Sequence, residues 1–440
     1  TPSSLVLVVN GVKLNSEPTI QVNPGPLNGA ASSLNFATQT IASGTTDILT
    51  ITLLDADGNG INGFKSSAFA FSYLGGTSSG TIGPVTATGA PGTYTAVFTG
   101  IAAGTPKGLS LKVAGIPIAS HPTVQVTPGA ASDVKSIIGL ASSSIVSGKS
   151  ELISLVVKDA AGNPIDGLTS GDFDINLSGG QSGGIFGTVS ETLVPGHYTV
   201  EFTGTSAGTA SILTVAIDNV LHDAEPKLTV KAGSVSGTTS SASFATSTIV
   251  SGETEILTFT IEDAAGNPIS GLPGSAFVLN LAGGKSTGKI GPIIPSTTPG
   301  VYHAIFTGDL AGTASTLEIK VAGVLLGSNP TVQVTPGPVN AAKSIASVTT
   351  PTVKTGNTDT LTIILMDTNG NAIGGLDASD FVIGPFGGTS NVSFATLTET
   401  QTPGTYTVVF TGKFAGTTTQ LTITVDGVLL LANPKVTVTA

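Results

Sequence analysis

The sequence contains no cysteine. This excludes a disulfide framework, a thiolate metal site and a cysteine nucleophile. Stability must then come from an apolar core and from sheet hydrogen bonds. Charge is also scarce: 10% of the 440 residues are Asp, Glu, Lys or Arg, with a formal net charge of −11. A basic nucleic-acid-binding surface is therefore not expected. Mean hydropathy is positive, but no run of about 18 apolar residues occurs, so membrane insertion is not expected either. The apolar residues come in short Val/Ile/Leu stretches separated by Gly, Pro, Ser and Thr.

What the sequence does contain is a period. Pro91-Gly92-Thr93-Tyr94, closing on Phe98-Thr99-Gly100, returns as Pro195-Gly196-His197-Tyr198, Pro299-Gly300-Val301-Tyr302 and Pro403-Gly404-Thr405-Tyr406. The interval is 104 residues each time, without insertion or deletion. Such a repeat decides the architecture before any other reading. Residues 1–24 align with 105–128, 209–232, 313–336 and 417–440, so four copies and a leading partial copy fill the chain. The expected domains are 25–128, 129–232, 233–336 and 337–440. Residues 1–24 read as the last two strands of an incomplete upstream copy, with a hairpin turn at Asn10-Gly11.

Each copy reads as all-β. Leu49, Ile51 and Leu53 alternate with Thr50, Thr52 and Leu54, the period-2 pattern of a strand with one buried face. A turn follows at Asp55-Ala56-Asp57-Gly58-Asn59 and its equivalents, where Gly and Asn tolerate positive φ and Asp bonds its own backbone. A periodic Phe (Phe69, Phe173, Phe277, Phe381) comes next. About seven short strands per copy, with turn signals every 8–12 residues, predict a β-sandwich. Copies that abut without linkers predict an elongated rod, roughly 40 Å per domain and on the order of 150 Å for four.

Asp-Ala-Ala-Gly-Asn-Pro-Ile, then Pro-Gly-x-Tyr-x-x-x-Phe-Thr-Gly and Ala-Gly-Thr, resembles the bacterial immunoglobulin-like repeats of invasin/intimin-type surface adhesins. The closing Pro-x-Val-x-Val-x-Pro-Gly is also similar to filamin-type repeats. The resemblance implies a tandem array of four Ig-like sandwiches in a bacterial extracellular or cell-surface setting.

Candidate sites are few. Tyr94, Tyr198, Tyr302 and Tyr406 lie in phase with buried Phe98, Phe202, Phe306 and Phe410, and resemble the tyrosine corner of Ig sandwiches. Asp55, Asp57 and Asn59 match the first half of a calcium loop, although Ser66 stands where the bidentate Glu belongs. The alternative reading of that segment is a plain turn, and no other cofactor is expected. Leu5, Val6, Leu7, Val8 and Val9 are the candidate assembly residues of the leading hairpin. Either that hairpin completes a domain whose other strands lie outside the chain, or it adds to a neighbouring molecule. His121, His197, His222 and His303 share no position in the repeat, which reads as exposed variation. No catalytic spacing recurs, so no enzyme is expected.

The expected function is a stiff structural stalk of a large adhesin, whose partners are further repeats and a receptor bound elsewhere. The alternative is a self-assembling filament joined through residues 1–24. A carbohydrate-binding module would need an exposed aromatic row, for which only Tyr73 offers itself.

Overall fold

The computed structural model describes every residue except Thr1 and Asp223. The chain divides into two compact units, Thr1–Ile145 with Lys149–Val230 and Val146–Gly148 with Lys231–Ala440. The first copy shows how each sandwich is built. The leading segment holds β1 (Ser3–Ser4), β2 (Val8–Val9), β3 (Val12–Lys13) and β4 (Thr19–Ile20). The first full copy then runs through β5 (Ser33–Phe36), β6 (Thr40–Ala42), β7 (Thr46–Thr52), β8 (Phe69–Leu74) and β9 (Ser79–Ile82). It closes with β10 (Thr86–Ala87), β11 (Thr93–Ala102), β12 (Lys107–Val113), β13 (Ile116–Pro117) and β14 (Thr123–Thr127).

One sheet runs β5-β7-β11, with β9 and β10 both on the far side of β11; the other joins β8, β12, β13, β14 and β6. The copy therefore has ten strands rather than about seven. Two are two-residue pairings, β10 and β13. The extra strand at the start arises because the chain switches sheets between β5 and β6. Asp47 holds that switch by accepting hydrogen bonds from the Thr38 amide (3.0 Å) and hydroxyl (3.2 Å).

Alternation places the core. In β11, Tyr94, Ala96 and Phe98 are buried while Val97 is exposed. Leu49 and Ile51 on β7, with Leu53 just after it, face Leu109, Leu111 and Val113 on β12 within one cluster. A second, smaller cluster gathers Ile41, Phe98, Val124 and Val126 beneath the β6–β14 edge. Equivalent residues form the cores of the other copies.

The Pro-Gly-x-Tyr motif pins a long loop to this core. Gly92 sits at φ +70°, and a Cβ there would lie 2.5 Å from the Leu53 carbonyl oxygen, so only glycine fits. The Tyr94 ring is buried against Phe69, with centroids 5.2 Å apart. Its hydroxyl donates to the Ile61 carbonyl (3.0 Å) and accepts from the Phe64 amide (3.3 Å). Tyr198 bonds Ile165 and Leu168, Tyr302 bonds Ile269 and Leu272, and Tyr406 bonds Ile373 and Leu376 in the same way. Burial raises the Tyr198 and Tyr406 hydroxyls above the ordinary tyrosine value.

One expectation fails outright. His222 is not exposed; it is 1% accessible and fills the position held by Ile118, Leu326 and Leu430 in the other copies, all of them buried. Its Nδ1 lies 3.1 Å from the Asp133 carbonyl, so Nδ1–H donates there. Its Nε2 is buried without a hydrogen-bond partner among the described residues.

The leading hairpin keeps the register of a full copy. Ser3 pairs with Ile20 and Ser4 with Thr19, as Lys107 pairs with Val124 and Gly108 with Thr123. Asn10 (φ 48°) and Gly11 (φ 79°) make a turn of two left-handed residues, as do Ala114 (47°) and Gly115 (85°). That turn joins β2 to the short β3 rather than leading straight to the second long strand. What the hairpin lacks is a facing sheet. Leu5 is 61% and Val22 81% exposed, whereas their equivalents Leu109 and Val126 are fully buried.

Tyr198→Phe removes one donor and one acceptor from half-buried backbone partners. It should destabilise the second copy by about 1–3 kcal/mol. Urea unfolding of the full chain followed by near-ultraviolet absorption measures this, and an unchanged transition would remove the hydroxyl from the account of the loop.

Candidate functional site: the joint between repeats

The Asp-x-x-Gly-Asn turn, read from sequence as a turn or part of a calcium loop, lies where one copy meets the next. In the first unit the connecting stretch is Thr127-Pro128-Gly129-Ala130-Ala131. Asp159, buried in the second copy, takes hold of it. Its Oδ2 accepts from the Gly129 amide (3.0 Å) and from Asn163 Nδ2 (2.7 Å), and its Oδ1 accepts from the Asn163 amide (2.8 Å). Ala131 bridges Asp159, and the Ser132 amide bonds the Lys158 carbonyl at 2.8 Å, so the connection continues as sheet-like pairing.

Asn163, oriented by Asp159, reaches back into the first copy. Its Nδ2 donates to the Ile101 carbonyl (2.8 Å) and the Ser43 hydroxyl (3.1 Å), and its Oδ1 accepts from the Ala103 amide (2.9 Å). Ser43 Oγ in turn donates to the Ile101 carbonyl at 2.8 Å. Gly129 is required at this point, because a Cβ would sit 2.7 Å from the Ser43 carbonyl oxygen.

The second unit repeats the design between the third and fourth copies. Asp367 accepts from the Gly337 amide (2.9 Å) and from Asn371 Nδ2 (2.8 Å). Asn371 Nδ2 donates to the Asp309 carbonyl (2.9 Å) and Ser251 hydroxyl (2.8 Å), while Oδ1 accepts from the Ala311 amide (2.8 Å). Asn369 adds a further bond to Ser251, at 2.7 Å. Asp263, in the third copy, bonds Gly233 (2.8 Å) and Asn267 (2.8 Å), and Asn267 Nδ2 donates to the Ser147 hydroxyl (2.9 Å).

The calcium candidate belongs to the same family of turns. Asp55 accepts four N–H groups: Gly25 (2.8 Å) and Asn59 Nδ2 (2.9 Å) at Oδ2, Asp57 (3.0 Å) and Asn59 (2.8 Å) at Oδ1. Calcium is bound by oxygens, and here donors occupy the carboxylate. Asn59 turns its amide nitrogen, not its oxygen, toward Asp55. In this arrangement the Asp55 carboxylate caps the turn that carries Asp57 and Asn59.

These bonds set the electrostatics. Asp55 is held down at about 2, first by the Asn59 side chain and then by the Gly25 and Asn59 amides. For Asp159 and Asp367 burial acts upward, but the hydrogen bonds outweigh it, from Asn163 and Gly129 in one case and Gly337 and Asn371 in the other. Both stay below the ordinary carboxylate value.

The remaining candidates do not converge on this joint. The four tyrosines serve the loop of their own copy. Tyr73 is partly exposed, its hydroxyl bonded to the Gly80 carbonyl at 2.6 Å and the Lys107 ammonium 5.3 Å above its ring. Leu5, Val6, Leu7, Val8 and Val9 all lie exposed on the leading hairpin.

A family model of known proteins covers the first copy from Asn28 onward, together with Gly129. Residues 28–129 match invasin domain 3. The first copy is therefore invasin-like in sequence, and the other three repeat its motifs in register. No curated protein matches the chain. Among solved structures, the Escherichia coli adhesin FdeC is 26% identical over 71% of this chain and all of its own, with a TM-score of 0.39. Invasin, described as a bacterial integrin-binding protein, is 17% identical over 92% of this chain and 79% of its own, with a TM-score of 0.41. InvD of Yersinia pseudotuberculosis is 18% identical over 70% and 98%, with a TM-score of 0.40. TM-scores of this size add no weight to the reading of the joint. Among the described residues no helix is long and apolar enough to cross a membrane.

A carboxylate whose folded-state value lies below the ordinary 3.8 contributes stability above that pH and loses it as the pH falls toward the folded-state value. The chain should therefore lose urea resistance below about pH 4, in the window set by Asp55 and the joint aspartates. Asp159→Ala should lower stability at neutral pH by about 1–3 kcal/mol for the lost charge-assisted bonds and shrink the acid-linked loss. An acid limb identical to that of the parent chain would rule out Asp159 as a contributor.

Proposed function

We propose that this chain is a non-enzymatic structural stretch of a bacterial cell-surface adhesin, a stalk that holds a binding region away from the cell. The observation that carries the reading is the joint. A stalk must transmit direction from one domain to the next, and a connection tied by one carboxylate and one asparagine on both sides restricts bending as a flexible linker would not. The invasin domain 3 match supports the adhesin setting, and the constant 104-residue period supports uniform spacing. The residues point to scaffolding and away from chemistry: the tyrosines and the joint aspartates are committed to hydrogen bonds that hold backbone. Receptor binding would be the task of another region of the parent protein.

Small-angle X-ray scattering of the purified chain should give a maximum dimension on the order of 150 Å, from strand lengths at about 3.3 Å per residue. A globular profile would overturn the stalk. Antibodies raised against the chain should label intact source cells, and labelling only after lysis would overturn the surface setting.

A second reading, a filament joined by strand addition, is favoured by one observation. The leading hairpin has the register of a folded copy, and the apolar face that every full copy buries is open to solvent in it. Outward apolar residues on β11 and its equivalents, Val97, Ile305 and Val409, would suit lateral contacts. If the hairpin recruits the missing strands from another molecule, residues 1–440 should associate in a concentration-dependent way while residues 25–440 stay monomeric in light scattering. Matching monomeric behaviour of the two would remove the filament reading.

A further inference from the structure

We infer that each sandwich carries a shear-loaded clamp where its second strand pairs with its last long strand, and that the asparagine of the following copy braces this clamp. In the first copy β6 and β14 run parallel, with Thr40 opposite Gln125, Ile41 opposite Val126 and Ala42 opposite Thr127. The other pairings of that copy are antiparallel. The parallel patch is extended at both ends, by the Gln125 amide on the Gln39 carbonyl (2.9 Å) and the Ser43 amide on the Thr127 carbonyl (2.8 Å). The third copy repeats it: Thr248–Val250 lies parallel to Gln333–Thr335, with Gln333 on Ser247 (2.8 Å) and Ser251 on Thr335 (2.8 Å).

Direction decides how such a patch meets tension. Tension on a domain within an array pulls β6, through the β5 segment before it, toward the N-terminus and β14 toward the C-terminus. In a parallel pair these displacements slide the strands past each other, so the hydrogen bonds are strained together; in an antiparallel pair the same ends would peel one bond at a time. Beneath the patch lie Ile41, Val124 and Val126 against Phe98, which must also slide.

The brace follows from where the joint lands. Ser43, whose amide closes the parallel patch on Thr127, is the residue whose hydroxyl Asn163 holds. Ser251, at the same point of the third copy, is held by both Asn371 and Asn369. The next copy therefore fastens the lower end of its predecessor's clamp. Asn59 has the same place in the first copy, yet it is exposed and its amide nitrogen goes to Asp55. A clamp of this kind would serve a stalk under tension, but its test needs only the purified chain. A failed clamp leaves the stalk reading standing, and a failed stalk reading leaves the clamp.

The test is single-molecule force spectroscopy on the full chain held at its two ends. Four rupture events are expected, each releasing about 350 Å of chain at roughly 3.4 Å per residue. Asn163→Ala should move one of the four to lower force, Asn163→Ala with Asn371→Ala should move two, and Asn59→Ala should move none. Gln125→Pro, which deletes the donor to Gln39, should likewise lower one event. If that variant does not fold by circular dichroism, Ile41→Ala, which trims the cluster without removing a bond, takes its place. The brace is overturned if Asn163→Ala leaves all four events in place, or if Asn59→Ala lowers one as Asn163→Ala does, because the asparagine would then act within its own copy. The clamp is overturned if the edge-strand variant that folds ruptures like the parent.

Discussion

The array depends on a buried carboxylate that has no cation beside it. Withdrawing a charge from water is costly unless hydrogen bonds replace the lost solvation. Asp159 and Asp367 meet that requirement with N–H groups drawn from three places at once: the connecting stretch, the turn that carries the aspartate, and an asparagine side chain. Because the charge needs all of them, it fixes all of them. The connection cannot swing away without stranding the carboxylate, and the asparagine cannot rotate without losing its orienting partner. The order at the joint is thus enforced by desolvation, with the asparagine carrying it across to the preceding copy.

Much of the fold was legible in the sequence because its signals are local. Leu49, Ile51 and Leu53 alternate, Gly92 answers to a positive φ, and Tyr94 stands in phase with Phe98; each follows from a few neighbouring residues. The joint was not legible in the same way. Asp55-x-x-Gly58-Asn59 announces a turn and half announces calcium, but nothing within it shows that the equivalent Asn163 bonds a carbonyl 62 residues back and a serine 120 residues back. The signal that could have found it is the period itself. Ser43, Ser147 and Ser251 recur one copy ahead of Asn163, Asn267 and Asn371, a polar pair at fixed separation that spans two copies.

His222 was misread for a related reason. Compared by residue type, the four histidines share nothing. Compared by position, His222 falls in register with Ile118, Leu326 and Leu430, and the burial of those three carries over to it. The same alignment separates the leading hairpin from its equivalents. Identical pairing in β1–β4 and in β12–β14 shows that the turn and ladder need no second sheet, while the exposure of Leu5 and Val22 shows that the core does. The fold thus has two layers: a ladder specified within each strand pair, and a core that exists only where both sheets are present.

The means by which the joint is fastened also bears on the medium the protein can tolerate. Among the described residues the ion pair is Lys13 with Glu17, out on the leading hairpin, and none lies at a joint. Dissolved ions screen attractions between exposed opposite charges, with a screening length of about 10 Å at 0.1 M, but they have little purchase on amide hydrogens pointed at a desolvated carboxylate. A joint tied in this manner should respond less to salt than one laced by lysine–glutamate pairs.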